Sequence, residues 1–256
     1  MLKTLSSIAS RFFRRRPSAL HVKVPLLPDL HYNEVLRAEA DIEEAIRALQ
    51  WEHPTRTKTW DLLKAAHAVI ALLKPETARI LDAGCVGSPI LEVLHGHGYR
   101  DLWGCDFTEN DLPQVPGLKF WKRDLTKTEF SAASFDAVTC LSVVEHGVPL
   151  HAFFSEMQRL LKPSGYLLVS IDYHDPKIPT EDVDRRYTFG LPWQIFSKTE
   201  VEAAVREAEK HGFRLIQPIR WEQGPQPPVT WNGKRYTFLF LALQKESAPT
   251  TEGSPS

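Results

Sequence analysis

The chain has 256 residues, 43% of them hydrophobic and 25% charged, with a formal net charge of -1. That length and balance suit one globular domain with peripheral additions and exclude a strongly basic nucleic-acid binder, so no nucleic-acid partner is expected. Three cysteines, Cys85, Cys105 and Cys140, without paired spacing, read as reduced thiols in a cytoplasmic setting rather than as disulfides or a zinc centre.

The first residues, "MLKTLSSIASRFFRRRPSAL", place Leu2, Leu5, Ile8, Phe12 and Phe13 near helical spacing among Lys3, Arg11, Arg14, Arg15 and Arg16, with no acid before Asp29. Residues 1–32 are therefore set apart as a basic, amphipathic or flexible segment. Residues 1–16 fit peripheral contact with an anionic membrane, a mitochondrial presequence if the source is eukaryotic, or a plain basic tail. No apolar stretch approaches the ~20 residues needed to span a bilayer. The main domain is expected over 33–245 and a disordered tail over 246–256.

Helical apolar spacing covers 33–50 and 58–74, and Pro75 stops the second run. Strand-like runs follow at 78–84, 101–107, 118–124, 135–142 and 165–172, separated by helical patterns at 89–98 and 149–165. Strands alternating with helices predict a parallel sheet with both faces covered. Residues 173–196, polar, aromatic and proline-containing, read as an insertion or lid on the acceptor side. A helix over 197–211 is predicted from Ser197 as N-cap with Glu200 three positions on. Two closing strands, 213–221 and 235–245, end the domain.

The segment "ILDAGCVGSP" (80–89) is a strand, a glycine turn and a helix start. A dinucleotide turn wants G-x-G-x-x-G and backbone donors at the helix N-terminus. Here only Gly84 and Gly87 are present, Ser88 reads as the N-cap, and Pro89 at the first helical position removes a donor. Asp82 at the strand's carboxyl end would repel a pyrophosphate but attract a sulfonium or ammonium. Asp106, ending the second strand, is placed to accept ribose hydroxyls, and Asp124, ending the third, to take an adenine amino group beside Leu125. Each is an ordinary strand-end acid taken singly; three at successive strand ends point to one adenosyl-type, cationic ligand.

With "ILDAGCVGS", "GCDF", "KRDL", "FDAVTCLSVVEH" and "LLKPSGYLLVS" in order over roughly residues 57–243, the chain resembles the class I S-adenosylmethionine-dependent methyltransferases. The resemblance implies an α/β, Rossmann-like, seven-stranded, mostly parallel sheet with helices on both faces and the last strand antiparallel. It implies S-adenosyl-L-methionine as cofactor, held by Asp82, Gly84, Gly87, Asp106, Phe107, Asp124, Leu125 and Leu141.

Methyl transfer is a direct displacement that mainly needs alignment and water exclusion. A hydroxyl acceptor also has to lose a proton, and His146 with Glu145, after the fourth strand, are the candidate catalytic residues. Methyltransferases that this loop resembles carry a Glu-x-x-Glu-His metal site; Ser142 replaces its first Glu here, and a cation would have to recruit His151 or Asp172, so no metal is expected. Asp172, Tyr173, His174, Arg185, Arg186, Tyr187 and Trp193 are expected to bind the acceptor. The run "DYHDPKI … FGLPWQIFS" is similar to methyltransferases associated with bacterial surface-glycan synthesis. The expected acceptor is a small molecule or glycan methylated on oxygen. The alternatives are a lipid-like or quinone acceptor at a membrane, a non-catalytic cofactor-binding module, and a nicotinamide oxidoreductase, which Asp82 and Pro89 disfavour.

Overall fold

Side chains along the central strands alternate between two apolar clusters, and that alternation builds the molecule. The computed structural model describes residues 21–247. On β2 (Arg79–Ala83), Ile80 faces one cluster and Leu81 the other; on β9 (Lys234–Lys245), Phe238, Phe240 and Ala242 face the first while Leu239, Leu241 and Leu243 face the second. Successive strand side chains point to opposite faces, so runs of apolar residues need cover on both sides. Helices α1 (Glu39–Leu49), α2 (Lys58–Leu72) and α3 (Ile90–Gly96) supply the first cover, and α4 (Leu150–Leu160) and α5 (Lys198–Lys210) the second.

The other strands are β1 (Glu34–Val35), β3 (Asp101–Asp106), β4 (Lys119–Lys122), β5 (Phe135–Leu141), β6 (Leu161–Tyr173), β7 (Phe213–Leu215) and β8 (Val229–Trp231). The sheet runs β1-β9-β6-β5-β2-β3-β4, with β7 and β8 also paired to β9. Strands β2 to β6 are mutually parallel and β9 is antiparallel to β6. The expected Rossmann-like arrangement with an antiparallel last strand is therefore present, enlarged to nine strands by the short β1 and β8.

Several boundaries differ from the sequence expectation. The first helix begins at Glu39, because the Asp41 carboxylate accepts from the Arg37 and Ala38 amides at 2.9 and 3.1 Å and caps it there. Residues 34–35 instead join the edge of β9, opposite Phe240 and Leu239. They occupy the edge that a longer β7 would need, and β7 stops at Leu215 ahead of Pro218. The fourth helix ends at Leu160, and β6 starts at once, taking "KPSG" into an irregular stretch with Ser164 at φ 63°. Strand β8 lay unread in the linker between the closing strands: Asn232 and Gly233, at φ 47° and 75°, form a tight hairpin turn into β9.

The domain also starts earlier than residue 33. Val22, Val24 and Tyr32 are buried in the first cluster. His67 fastens this strap, its Nε2 accepting from the Leu27 amide at 2.8 Å while its Nδ1 lies 2.8 Å from the Tyr32 hydroxyl. Residues 1–16, and 248–256 of the expected tail, lie outside the described residues. Among those described, no helix is long and apolar enough to cross a membrane. The Ser197–Glu200 capping box forms as expected, with the Glu200 carboxylate accepting from the Ser197 amide at 2.7 Å.

Candidate functional site

The strand order reverses at β2, with β3 and β4 on one side and β5 and β6 on the other, and ligands of open α/β sheets bind outside the carboxyl ends of the strands at such a point. The turn after β2 sits there. Gly84, at φ 88°, could not carry a side chain: a Cβ would lie 2.4 Å from Val143 Cγ2. The turn thus packs directly against the loop after β5. Gly87 has φ 83°. Helix α3 starts one residue later than expected, with Pro89 rather than Ser88 at the N-cap position.

Asp82 and Asp106 point to the same face of the sheet. Asp82 is fully buried; its Oδ1 accepts from the Thr139 hydroxyl at 2.7 Å, and its Oδ2 has no partner. Burial, with the Asp106 charge adding to it, pushes the Asp82 carboxyl up to about 6. Asp106 accepts from the Val86 amide at 3.1 Å and the Thr108 amide at 3.1 Å, so it braces the glycine turn. A carboxylate offers about four lone-pair sites, which leaves Asp106 capacity for ribose hydroxyls. Phe107 beside it is 59% exposed, an apolar face standing in the open. Asp124 is exposed two residues past the end of β4, its Oδ1 accepting from the Thr126 amide and hydroxyl at 2.8 and 2.7 Å. Leu125 and Leu141 are half-buried. An orphaned buried carboxylate oxygen, a second carboxylate close enough to raise it, and a glycine turn without room for a side chain fit a cationic adenosyl ligand.

The acceptor side assembles on the ends of β5 and β6. Glu145 is buried, and burial together with the Asp172 charge holds its carboxyl well above the usual range. Its Oε2 has no partner, and neither has Nδ1 of His146. Burial, and then the Lys58 charge, pulls His146 down to about 4, which makes its imidazole neutral and a weaker base than the sequence implied. The ring stands edge-on to Phe189 and Trp231, with centroids 5.5 and 6.1 Å away. Asp172 is pushed up to about 6 by burial, against the pull of Lys58; it accepts from Trp193 Nε1 at 2.7 Å and from the Tyr236 hydroxyl.

The sequence reading missed Lys58, which α2 delivers into this cluster. Its ammonium donates to the Ser142 hydroxyl, lies 3.7 Å from Asp61 Oδ2 and sits 4.2 Å from the centre of the Phe238 ring. Asp61 is itself buried and accepts from the Ser170 hydroxyl at 2.9 Å. One cation thus faces the carboxyls of Asp61, Glu145 and Asp172. A lysine at the start of a helix gives little local signal of this, since apart from Asp61 its partners lie more than eighty residues away in sequence.

The seven expected acceptor residues divide. Asp172 and Trp193 come together as described. Tyr173 cannot join them: as the next residue on the strand it points to the opposite face, buried in the second cluster 5.9 Å from Trp221. His174 turns to its own loop, with Nδ1 2.8 Å from the Pro176 carbonyl. Arg185, Arg186 and Tyr187 form an exposed 3-10 turn, and the Arg186 guanidinium is already bound to Asp184 through Nε and Nη2. Trp231, from the unread hairpin, packs 4.8 Å from Trp193 and completes the aromatic wall.

Comparison with known proteins agrees with the fold. The methyltransferase-domain family matches residues 81–169. The chain is 28% identical to a ubiquinone biosynthesis O-methyltransferase of Ruegeria over 166 residues, 56% of this chain and 66% of that protein. It is 30% identical to the sterol 24-C-methyltransferase of Yarrowia lipolytica over 156 residues, 54% of this chain and 39% of that protein. The chain therefore spans less than two thirds of the length of either curated relative. In structure it is similar to the geranyl diphosphate C-methyltransferase of Streptomyces coelicolor, solved with Mg2+, geranyl diphosphate and S-adenosyl-L-homocysteine, at 14% identity and a TM-score of 0.55, covering 96% of this chain and 100% of that one. Residues 81–169 are a methyltransferase domain, and the chain around them has the fold of the class I S-adenosylmethionine-dependent methyltransferases.

Proposed function

We propose that the protein methylates a hydroxyl on a small acceptor with an apolar, aromatic or isoprenoid body, using S-adenosylmethionine. The observation that carries the reading is the pair of buried, unpartnered polar atoms on adjacent residues, Glu145 Oε2 and His146 Nδ1, behind a wall of Trp193, Trp231 and Phe189. Buried polar groups are rarely left unpaired, and each such group calls for a partner. An acceptor hydroxyl would satisfy both, meeting the Glu145 carboxyl, which burial and Asp172 bias towards its protonated form, and donating to neutral His146. The proteins named above are by name an O-methyltransferase of ubiquinone biosynthesis, a sterol methyltransferase and a geranyl diphosphate methyltransferase; sterols and geranyl chains are apolar isoprenoids, which supports the aromatic wall as an acceptor surface.

Asp82, Gly84, Gly87, Asp106 and Phe107 would hold the cofactor, which when bound supplies an electrophilic methyl on a positively charged sulfur. The protein's own part is to align the acceptor oxygen, exclude water and receive one proton. A hydroxyl oxygen becomes strongly acidic as it gains the methyl, so an imidazole as weak as that of His146 is base enough for a proton that leaves with or after the transfer. Lys58 offsets the charge of the buried carboxyls and holds the Ser142 hydroxyl, and so would keep the acceptor-side residues in position.

The test is transfer of labelled methyl from S-adenosylmethionine to two panels, polyprenyl phenols and nucleotide-linked sugars. Turnover of the first supports the proposal. Turnover of the sugars alone would overturn it in favour of a glycan acceptor, with exposed Arg185, Tyr187 and Phe189 as its surface. Binding of S-adenosylhomocysteine without turnover on either panel would favour a non-catalytic module.

A further inference from the structure

Outside this site, His151 on α4 and Glu207 and His211 at the end of α5 bring three ligand atoms together on the surface where the two helices meet. His151 Nδ1 lies 2.8 Å from Glu207 Oε1, His211 Nε2 lies 3.3 Å from His151 Nδ1, and His211 Nε2 lies 3.4 Å from Glu207 Oε1. Four ligands placed tetrahedrally about zinc at ~2.0–2.1 Å stand about 3.3 Å apart. The three observed separations trace one face of such a tetrahedron. Among the described residues this is the one group of three His, Cys, Asp or Glu side chains close enough to share an ion, and no ion is present.

The geometry points to a surface site for a divalent late transition metal, zinc above all, bound by His151 Nδ1, Glu207 Oε1 and His211 Nε2 with a fourth position open to water. The ligand set is the two imidazoles and one carboxylate that suit zinc rather than magnesium or calcium, which prefer oxygen ligands. Lys210 Nζ holds the other carboxylate oxygen of Glu207, Oε2, at 3.0 Å, which orients the group and leaves Oε1 to the ion. Without metal, the three groups share hydrogen bonds; with it, α4 and α5 are joined by coordinate bonds. Helix α4 begins just after the Glu145–His146 loop, and α5 begins where segment 173–196 ends, so the clamp ties together the helices that follow both acceptor-side segments.

The experiment is a titration of tag-free, chelator-treated full chain with zinc, followed by calorimetry, beside the variants His151→Ala, His211→Ala and Glu207→Gln. One zinc per chain at micromolar affinity or tighter is expected, weakened at least ~10-fold by each substitution, with magnesium giving no heat. Cobalt in place of zinc should give the visible spectrum of a four-coordinate nitrogen–oxygen site without a thiolate charge-transfer band. Zinc should raise the melting temperature of the wild type and leave that of His211→Ala unchanged. Affinity unaltered in the two histidine variants, a thiolate band from the cysteines, or no binding short of millimolar zinc would each overturn the site. Binding at these ligands with no change in melting temperature would overturn the clamp. None of these readouts uses methyl transfer, so failure here leaves the proposed function standing, and the reverse.

Discussion

The two halves of the proposed site are built on different plans. The donor half, from Asp82 to Leu125, is assembled from strand ends that follow each other in the chain, and its contacts are short-range or fall between neighbouring strands: Asp82 to Thr139, Asp106 to Val86 and Thr108. The acceptor half draws Lys58 from α2, Glu145 and His146 from the loop after β5, Asp172 from β6, Trp193 from the lid and Trp231 from a hairpin near the end of the chain. A plan made of successive strand ends can be shared by many proteins with one cofactor, while one gathered from distant segments can change its acceptor by changing a loop.

The sharpest way to break the contrast is at the wall the halves share. In Gly84→Val the new side chain would meet Val143 and require a left-handed backbone, since Gly84 has φ 88°. We expect complete loss of S-adenosylhomocysteine binding by calorimetry and a fall of several degrees in melting temperature. Binding within tenfold of wild type would mean that the turn and the β5 loop do not need each other.

Lys58→Met separates the halves. It removes the one cation that, among the described residues, faces Asp61, Glu145 and Asp172. Disturbing the placement of reacting groups costs about 100-fold in turnover, so kcat should fall about that far while the affinity for S-adenosylhomocysteine stays within about twofold. Equal loss of both would place Lys58 in the fold rather than the reaction. Asp106→Ala does the converse. A hydrogen bond to a charged acceptor contributes about 2 kcal/mol, or ~30-fold, and the loss should appear in cofactor affinity. Unchanged affinity would put the ribose elsewhere.

The halves also differ in how far they could be read from the sequence. The sheet, its alternating faces and the donor residues follow from strand-ending motifs whose spacing is local. Phe107 and Asp106 needed no knowledge of the rest of the chain. Tyr173 was misplaced for a simple reason: it and Asp172 are neighbours on a strand and could not both face the pocket. Lys58 and Trp231 were missed because nothing near either residue marks it. Only the Asn232–Gly233 turn after Trp231 carried a usable signal, that of a hairpin. Segment 33–38 was misread because its partner, the edge of β9, is some two hundred residues away.

A smaller effect tests the electrostatics of the donor half. Asp82 has its pKa raised to about 6 in the folded protein from a usual carboxyl value of 3.8. Without ligand, the folded state therefore holds more protons than the unfolded state between those values, so this group favours folding as pH falls through 6. Cofactor binding has the opposite sign, since a cation prefers the ionised carboxylate. Affinity for S-adenosylmethionine should be flat above pH 7 and fall about tenfold by pH 5, one unit below that value. His146 does not interfere, because at about 4 it stays neutral across this range. Asp172, also near 6, lies in the acceptor half and should alter turnover more than binding. Asp82→Asn should flatten the binding curve; a curve of the same slope in that variant would assign the titration to another group.

The smallest expected effect comes from the exposed turn of the lid. Arg186 is 77% exposed in its side chain and holds Asp184, two residues away, in a surface pair. Such exposed pairs contribute little, and screening reduces them further; a guanidinium already engaged by a carboxylate is a poor clamp for a second anion. Arg186→Ala should therefore change kcat/KM for an apolar acceptor by less than about twofold. Asp184→Ala gives the stronger discrimination, because it frees the guanidinium: an acceptor carrying phosphate or carboxylate would then bind more tightly, and an uncharged one would not. If Arg186→Ala itself abolished turnover, the lid would be gripping a charged acceptor through this turn, and the division between a shared donor half and an apolar acceptor half would fail at its outermost residue.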